Sequence, residues 1–88
     1  MNFLHTEEHL SSGDGFEVSL DSQANVLLLD DTNFYRYKEG RSYDYRGGLA
    51  KQSPIVIRAP YSGRWHLVVD LGGYAGTVRA GVSVLKAA

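Results

Sequence analysis

The clearest structural signal in the chain is the run Arg64-Trp65-His66-Leu67-Val68-Val69-Asp70-Leu71. Side chains two residues apart in a β-strand point to the same face of a sheet, so Trp65, Leu67 and Val69 share one face. Burying one tryptophan removes on the order of 200 Å² from water, which is worth several kcal/mol at about 25 cal/mol per Å². The run therefore predicts a strand in which Trp65, Leu67 and Val69 anchor the core.

The same alternation recurs along most of the chain, with turn signals rich in glycine, serine and proline between the runs. Residues 24–30 are apolar at both odd and even positions, which is typical of a central strand covered on both faces. Gly81 interrupts the last run and indicates a bulge or a close approach of the backbone. Besides 64–71, the predicted strands cover residues 16–21, 24–30, 54–60 and 77–84, the last of them after a turn at Gly72-Gly73.

Two segments depart from this rhythm. Residues 31–40 begin with helix-capping residues, space two aromatic residues three apart and end at a glycine, so they predict a single helical turn. Residues 41–50 predict a strand that ends in a bend at Gly47-Gly48. The whole chain, residues 1–88, is predicted to be one all-β domain, a small β-sandwich of jelly-roll type or a partly open barrel, with one short helical turn.

Composition limits what such a domain can do. The 88 residues carry nine Lys and Arg against ten Asp and Glu, a formal charge of -1, so no overall field attracts nucleic acid or an acidic membrane. No segment approaches the roughly 20 apolar residues of a membrane span, and no signal peptide is evident, which together predict a cytoplasmic protein. The absence of cysteine excludes disulfides, thiolate metal sites and cysteine nucleophiles.

Residues 5–9 spell H-x-x-E-H, the inverted zinc-peptidase motif. That motif needs a helix that turns both histidines toward one metal and a third ligand from a later helix, and the sequence predicts neither. An 88-residue chain is also too short to build the rest of such a peptidase. The sequence therefore disfavours a zinc peptidase.

Taken as a strand, the same segment has two interpretations. His5 and His9 share a face, where His66 could join them in a non-catalytic metal site. The alternative is a solvated face whose opposite side packs Leu4 and Leu10 inward. We expect the second arrangement, with no metal and no cofactor.

Asp70 and the pair Asp30-Asp31, at the ends of predicted strands, are the acidic candidates for chemistry. His66 and Asp70 share a strand face and could form half of a catalytic triad, but no serine lies in an activating context. Asp70 is more simply a turn former at Gly72-Gly73, and His66 a hydrogen-bonding residue at the sheet surface. Asp30-Asp31 lacks the spacing of a calcium loop, and the following Thr32-Asn33 suits a helix cap. No catalytic residue is predicted, and we expect a protein that is not an enzyme.

The segment most typical of a binding surface is residues 34–48, which holds four of the six tyrosines and four cations against two carboxylates. Tyrosine and arginine are both enriched at binding hot spots, because one offers apolar area with a polar tip and the other a planar set of donors. The predicted binding residues are Tyr35, Arg36, Tyr37, Arg41, Tyr43, Tyr45 and Arg46.

Two other interpretations of this segment stay open. Tyrosines interleaved with arginines can also stack on the bases of single-stranded nucleic acid and contact its phosphates, although the near-neutral overall charge disfavours that use. Phe34, Tyr37 and Tyr45 could instead pack at the edge of the core with their polar ends in water, while the cations maintain solubility.

Short motifs along nearly the whole chain form a recognisable set. They are Asn2-Phe3-Leu4-His5, Asn25-Val26, Leu29-Asp30, Asn33-Phe34, Tyr37, Gly40, Tyr45, Gly47-Gly48, Ser53-Pro54, Ser62-Gly63, Trp65-His66, Val69-Asp70 and Gly76-Thr77-Val78-Arg79. The set resembles the bacterial domain of unknown function 1883 family. This resemblance implies a short all-β bacterial domain, found alone or beside a TIR signalling domain, and implies no activity or catalytic residue. This chain contains no TIR segment.

Three classes of function follow from the sequence. The first is a protein-interaction or self-association module that uses the surface from Tyr35 to Arg46 and the edge strand near His5. The second is recognition of a small ligand, a sugar or a nucleotide, by the same tyrosines and arginines, and the third is an enzyme. We expect the first, with a protein partner or a second copy of the chain and without a membrane or nucleic acid.

Overall fold

The computed structural model describes residues 3–71 and 78–87 of the chain. Over these residues it has seven β-strands and one α-helix. In chain order they are β1 (Phe3–Leu10), β2 (Gly15–Leu20), β3 (Ala24–Asp30), α1 (Asp31–Lys38), β4 (Arg46–Ala50), β5 (Ile55–Arg58), β6 (Gly63–Asp70) and β7 (Ala80–Leu85). The turn predicted at Gly72-Gly73 lies outside the described residues.

The strands form two antiparallel sheets. One sheet has the order β1-β6-β3-β4 and the other the order β5-β2-β7. The described strands form no closed barrel, so the small β-sandwich is confirmed among the architectures that the alternation predicted. β3 lies between β6 and β4, as its two-sided apolar pattern predicted.

The main core lies between the two sheets. Trp65, Leu67 and Val69 of β6 are buried in it, and Phe16 of β2 packs in the same cluster from the other sheet. The indole nitrogen of Trp65 donates a hydrogen bond of 3.0 Å to the carbonyl oxygen of Tyr61. The indole is therefore packed and hydrogen-bonded at once, which is how a buried tryptophan satisfies its N–H group.

A second, smaller core lies on the outer face of the four-stranded sheet. Leu27, Leu29 and Val68 point away from the main core, and α1 covers them with Phe34 and Tyr37. Because this face of the sheet is also covered, β3 is apolar at both parities. The described residues thus form three layers, which are the helix, the four-stranded sheet and the three-stranded sheet.

The helix α1 is eight residues long, about two turns, and not the single turn that was predicted. Asp30 is its N-cap, because the Asp30 carboxylate accepts a hydrogen bond of 2.8 Å from the backbone N–H of Asn33. The helix ends before Gly40, which has a φ of 72°. The extra turn is stabilised by the burial of Phe34 and Tyr37 against the sheet, which local capping signals do not reveal.

The strand β4 lies later in the chain than predicted. Residues 41–45 have no regular structure, and the strand runs through the two glycines. Gly47 and Gly48 have φ values of 105° and 141°, and a Cβ on Gly47 would collide with the carbonyl oxygen of Val26. The glycines are therefore needed within the strand, where β4 passes close to β3, and do not form a bend after it.

Two further expectations about strands are corrected. β7 begins at Ala80 and pairs with β2 without a break, with Gly81 opposite Ser19, so the described pairing contains no bulge at Gly81. On β1, Leu10 is buried but Leu4 is 47% exposed, although both belong to the face that was expected to pack inward. Leu4 is exposed because β1 is an edge strand, so the core does not extend over it.

Candidate functional site

Three titratable side chains form a chain of hydrogen bonds on the outer face of the four-stranded sheet. The Nε2 atom of His66 lies 2.5 Å from Oδ1 of Asp31, in the first turn of α1. The Nδ1 atom of His66 lies 2.9 Å from Nε2 of His5, on the neighbouring strand β1. Because a carboxylate only accepts, Nε2 of His66 carries the hydrogen, and Nδ1 accepts from the Nε2–H of His5.

The ring of Phe34 stacks against both imidazoles. Its centroid lies 4.2 Å from that of His5 and 4.2 Å from that of His66, with interplanar angles of 13° and 7°. Burial, and then the neighbouring His66, lower the pKa of His5 below its ordinary value of 6.5. The arrangement favours a neutral His5 and forms a rigid contact between α1 and the sheet.

The histidines do not surround a common metal position. His5 and His66 direct ring nitrogens toward each other, the second ring nitrogen of His66 is occupied by Asp31, and His9 lies opposite Arg64 further along β1. Within residues 3–71 and 78–87, no group of three or more histidine or carboxylate side chains could hold a metal ion. The H-x-x-E-H letters lie on a strand, so the helix that the peptidase motif requires is not formed there.

Asp70 connects α1 and β3 to the end of β6. One carboxylate oxygen accepts a hydrogen bond of 2.5 Å from the hydroxyl of Tyr37, and the other accepts one of 3.0 Å from the amide of Asn25. Burial, and then this hydrogen bond, raise the pKa of Tyr37. The carboxylate that contacts His66 belongs to Asp31, so His66 and Asp70 do not form the pair that was considered for a triad.

A cleft of about 390 Å³ opens where β3 ends and β6 begins, beside the start of α1. Asn25 and Asp70 lie at the other end of these two strands. Three parts of the chain meet at the cleft: the junction of β3 and α1, the start of β4, and the loop that leads into β6. The lining residues are Leu28, Asp30, Asn33, Asp44, Tyr45, Arg46, Pro60, Tyr61 and Trp65. The volume lies within the roughly 300–1,000 Å³ that is typical of small-molecule sites.

Hydrogen bonds among the lining residues hold these three parts together. Oδ1 of Asp30 accepts from the backbone and the side-chain nitrogen of Asn33, at 2.8 and 2.9 Å. Oδ2 of Asp30 accepts from the hydroxyl of Tyr61 at 3.2 Å. The side-chain oxygen of Asn33 accepts from the backbone N–H of Asp44 at 2.9 Å. The cleft is therefore preformed, because one bonded network links all three segments.

Other groups of the cleft remain available for a ligand. Among the described residues, the Asp44 carboxylate and the Arg46 guanidinium make no side-chain hydrogen bond and no ion pair. Tyr45 and Tyr61 line the same cleft and are 51% and 52% exposed. The cleft thus combines two half-exposed aromatic rings with a cation and a carboxylate that have no described partner.

The predicted binding residues lie in three different places. Tyr37 is 5% exposed and belongs to the second core, and Tyr43 packs against it with ring centroids 5.3 Å apart. Tyr45 and Arg46 line the cleft. The structure therefore separates two inward-facing tyrosines from two residues that a ligand could reach.

The remaining predicted residues are on the exposed side of α1 and just after it. Tyr35 and Arg36 are exposed, and the Lys38 ammonium lies 5.2 Å from the centre of the Tyr35 ring. Arg41 lies 3.7 Å from Glu39, with both side chains more than half exposed. Such an exposed ion pair contributes little to stability.

Of the nine residues that line the cleft, sequence reasoning identified only Tyr45 and Arg46 as binding residues. It considered Asp30 only as a calcium ligand, interpreted Asn33 as a capping residue and placed Tyr61 in a turn. The available signal was Tyr61 itself, because a large aromatic residue in a turn between Pro60 and Gly63 has no core position to fill. The cleft could not be assembled from the sequence, since its parts come from three segments that only the tertiary fold brings together.

No helix among the described residues is long and apolar enough to cross a membrane. The fold and the site together define a small antiparallel β-sandwich with a helix on one outer face and a preformed cleft at one end. The chain belongs to the family called domain of unknown function (DUF1883), whose sequence model matches residues 1–88, and this confirms the resemblance. No curated protein matches the chain, and no solved structure matches it.

Proposed function

We propose that the domain is a non-enzymatic recognition module whose cleft binds a neutral, polyhydroxylated ligand such as a sugar. The observation that carries this proposal is the set of free groups in the cleft. Asp44 and Arg46 have no partner among the described residues, and they lie in one cleft with the half-exposed rings of Tyr45 and Tyr61.

The chemistry of a sugar matches these groups. Each hydroxyl both donates and accepts, so a carboxylate such as Asp44 and a guanidinium such as Arg46 can each bind one. The C–H faces of a sugar ring are apolar and can pack against a tyrosine ring, which offers apolar area beside a polar tip. A preformed cleft also lowers the entropic cost of binding.

The charge of the cleft favours a sugar over a nucleotide. Asp30 and Asp44 contribute two carboxylates and Arg46 one cation, so the lining carries a net charge of one minus two, or -1. A phosphate would approach both carboxylates, whereas a neutral polyol meets no such repulsion. We therefore place the sugar ahead of the nucleotide that the sequence left open.

A binding role suits the cleft better than catalysis. Two carboxylates beside a sugar are the machinery of glycosidases, in which one acts as a general acid and the other as a base or nucleophile, so both must be free to react. Asp30 uses both oxygens, because Oδ1 accepts from Asn33 and Oδ2 accepts from Tyr61. The cleft lining also contains no histidine, serine, threonine or lysine. Aryl glycosides incubated with the protein should therefore show no enzyme-dependent hydrolysis.

Calorimetric titration with single sugars tests the proposal. The probes are glucose, galactose, mannose and N-acetylglucosamine, each as the monosaccharide and as a short oligosaccharide, with adenosine monophosphate and inorganic phosphate as separate arms. We expect at least one sugar to bind and phosphate not to bind. Binding of adenosine monophosphate alone would contradict the neutral-ligand proposal, and binding of none of the probes would contradict the function.

Matched variants locate the site. Tyr45→Ala and Arg46→Gln should each weaken binding about tenfold or more, because each removes a group that faces the ligand. Tyr35→Ala and Arg36→Gln are the controls, since they remove the same side-chain types from the exposed side of α1. Equal losses in all four variants would show that the ligand does not bind in the cleft.

A protein partner on the exposed side of α1 is the second candidate. Tyr35 is 57% exposed there, next to Arg36, and Arg41 follows on the turn. A pull-down from a bacterial lysate with the wild type and with the variant carrying Tyr35→Ala, Arg36→Ala and Arg41→Ala tests this candidate. If the wild type and the variant capture the partner equally well, the exposed side of α1 is not its binding surface, and this candidate is contradicted. We also propose that the protein is bacterial and that it is located in the cytoplasm. Cell fractionation tests the location.

A further inference from the structure

The hydrogen-bonded residues Asp31, His66 and His5 do not line the cleft. His66 is 4% exposed and has both ring nitrogens engaged, Nε2 with Oδ1 of Asp31 and Nδ1 with Nε2 of His5. In a catalytic triad, a carboxylate orients an imidazole through one nitrogen, and the other nitrogen takes a proton from the nucleophile. Asp31 and His66 are arranged in the same order, and His5 has the position of the nucleophile.

His5 has one ring nitrogen that no described residue engages. Its Nε2–H donates to His66, so the neutral ring carries a lone pair on Nδ1. The side chain is exposed, and Nδ1 makes no hydrogen bond within the described residues. Phe34 stacks on the ring at 4.2 Å and fixes its plane. Because burial and then His66 lower the pKa of His5, the Nδ1 lone pair is available for bond formation at neutral pH.

The surroundings of His66 stabilise the proton that His5 releases when it reacts. Once Nδ1 of His5 bonds to an electrophile, its ring is positively charged, and the proton on Nε2 can move to Nδ1 of His66, 2.9 Å away. The charge then lies between two carboxylates, since Asp31 contacts Nε2 of His66 at 2.5 Å and Glu7 lies 3.9 Å from Nδ1. Both negative charges stabilise the product of this transfer. The cluster therefore activates Nδ1 of His5 beyond an isolated histidine.

The charges around His5 suit a phosphoryl group. The ammonium of Lys38 lies 5.1 Å from the centre of the Phe34 ring that stacks on His5. Among the described residues Lys38 forms no ion pair, and its charge is one of the causes that lower the pKa of His5. Glu7 follows His5 on the same face of β1, but its carboxylate lies 3.8 Å from the guanidinium of Arg64. Arg64 thus offsets the nearby acid, and Lys38 offers a cation to an anionic group on His5.

We propose that His5 is a phosphoryl acceptor that is modified on Nδ1 through the relay to His66 and Asp31. The donor carries its phosphoryl group on a protonated nitrogen, as a phosphoramidate does. The lone pair of Nδ1 attacks phosphorus, the P–N bond of the donor breaks, and the amine leaves as a neutral molecule with that electron pair. The Nε2 proton of His5 passes to Nδ1 of His66, which leaves the phosphorylated ring neutral. This modification is independent of sugar recognition, because its residues lie outside the cleft.

Incubation of the wild type with potassium phosphoramidate at pH 7.5 tests the proposal. Phosphorus-31 nuclear magnetic resonance and peptide mass spectrometry without acid identify the modified atoms. His9 is the internal control, because it is exposed on the same strand and makes no hydrogen bond within the described residues. We expect His5 to react at least about tenfold faster than His9, and on Nδ1 alone, since its Nε2 faces His66. Equal rates at the two histidines, or a phosphoryl group on Nε2 of His5, would overturn the proposal.

Asp31→Asn tests the relay, and circular dichroism checks that the variant is folded. Asp31 is half-exposed, and the N-cap of α1 is Asp30. Without the carboxylate, the rate at His5 should fall to that at His9 in the same molecule. A merely structural contact predicts the opposite, because loosening it would expose both nitrogens of His5 and raise its reactivity. A rate at His5 that is unchanged or raised would therefore overturn the relay. The comparison of the two histidines in the wild type stays valid if the variant does not fold.

Discussion

The Nε2 atom of His66 and the Oδ1 atom of Asp31 lie 2.5 Å apart, and this contact joins the interior of β6 to the first turn of α1. A second contact, between the Tyr37 hydroxyl and Asp70, joins the last turn of the same helix to the end of β6. α1 is therefore fixed to the sheet at both ends by hydrogen bonds to charged groups, which are stronger than those between neutral groups. Between these ends its apolar residues fill the second core.

The stability of the domain should depend on pH through His5. Its pKa in the folded protein is below its ordinary value of 6.5, so the folded state binds fewer protons than the unfolded state as the pH falls below that value. The stabilising contribution is complete above about pH 6.5 and is lost as the pH falls through the lowered pKa. Urea denaturation at pH 7.5, 6.5 and 5.5 measures the resulting decrease in the free energy of unfolding.

Two variants isolate this contribution from that of other groups. The free energy of unfolding of His5→Gln should decrease less between pH 7.5 and 5.5 than that of the wild type, because glutamine does not titrate. His9→Gln should decline as the wild type does, since His9 is exposed and makes no ring contact or hydrogen bond within the described residues. Identical pH profiles for His5→Gln and the wild type would contradict the role assigned to His5.

The buried Tyr37 hydroxyl should contribute more to the free energy of unfolding than the hydroxyl of an exposed tyrosine such as Tyr35. Tyr37→Phe keeps the ring in the second core but removes the donor to the buried carboxylate of Asp70. Loss of a hydrogen bond to a buried charged group costs about 1–3 kcal/mol. Tyr35→Phe is the control and should change the free energy of unfolding by less than about 0.5 kcal/mol. Equal effects of the two variants in chemical denaturation would contradict the predicted network.

Gly47 should be intolerant of any side chain. Gly47→Ala combines a φ of 105° with a collision between Cβ and the carbonyl oxygen of Val26, and a strained backbone alone costs about 1–3 kcal/mol. Gly63→Ala is the control, because a Cβ there meets nothing within 4 Å and no positive φ is involved. Thermal denaturation should show a large loss for the first variant and little change for the second. A Gly47→Ala protein as stable as Gly63→Ala would mean that β4 does not approach β3 as described.

Trp65→Ala should remove most of the stability of the domain. The indole is buried in the main core and hydrogen-bonded to Tyr61, and truncation of a buried tryptophan costs about 3–5 kcal/mol. Small domains are stable by only about 5–15 kcal/mol, so the variant should be partly or largely unfolded at room temperature. Circular dichroism and a thermal melt measure this. A cooperative melt within a few degrees of the wild type would contradict it.

The sequence predicted the strands better than the elements between them. Alternation at Trp65, Leu67 and Val69 reports directly which face of a strand is apolar, and β3 revealed its central position because both of its faces are apolar. The length of α1 was underestimated, since the free energy that stabilises it comes from packing of Phe34 and Tyr37 on a distant sheet. β4 was misplaced because glycine is typical of a turn, and its use here depends on contact with Val26.

The candidate site was harder to predict for a related reason. Tyr45 and Arg46 were identified by residue type alone, but their separation from Tyr37 and Tyr43 depends on which side of the chain faces the sheet. The contact between His5 and His66 depends on the register of β1 with β6, which no local pattern specifies. Tyr61 joins the cleft through its hydrogen bond to Asp30 and through its contacts with Trp65, and both depend on the tertiary fold.

The most direct test of the proposed function is a nuclear magnetic resonance titration of the isotopically labelled domain with the sugar that binds most tightly. We expect the backbone amide signals of Asp44, Tyr45, Arg46 and Tyr61 to shift with one common dissociation constant while that of Tyr35 stays in place. Unchanged signals for all of these residues at saturating sugar, or shifts confined to the exposed side of α1, would contradict recognition in the cleft.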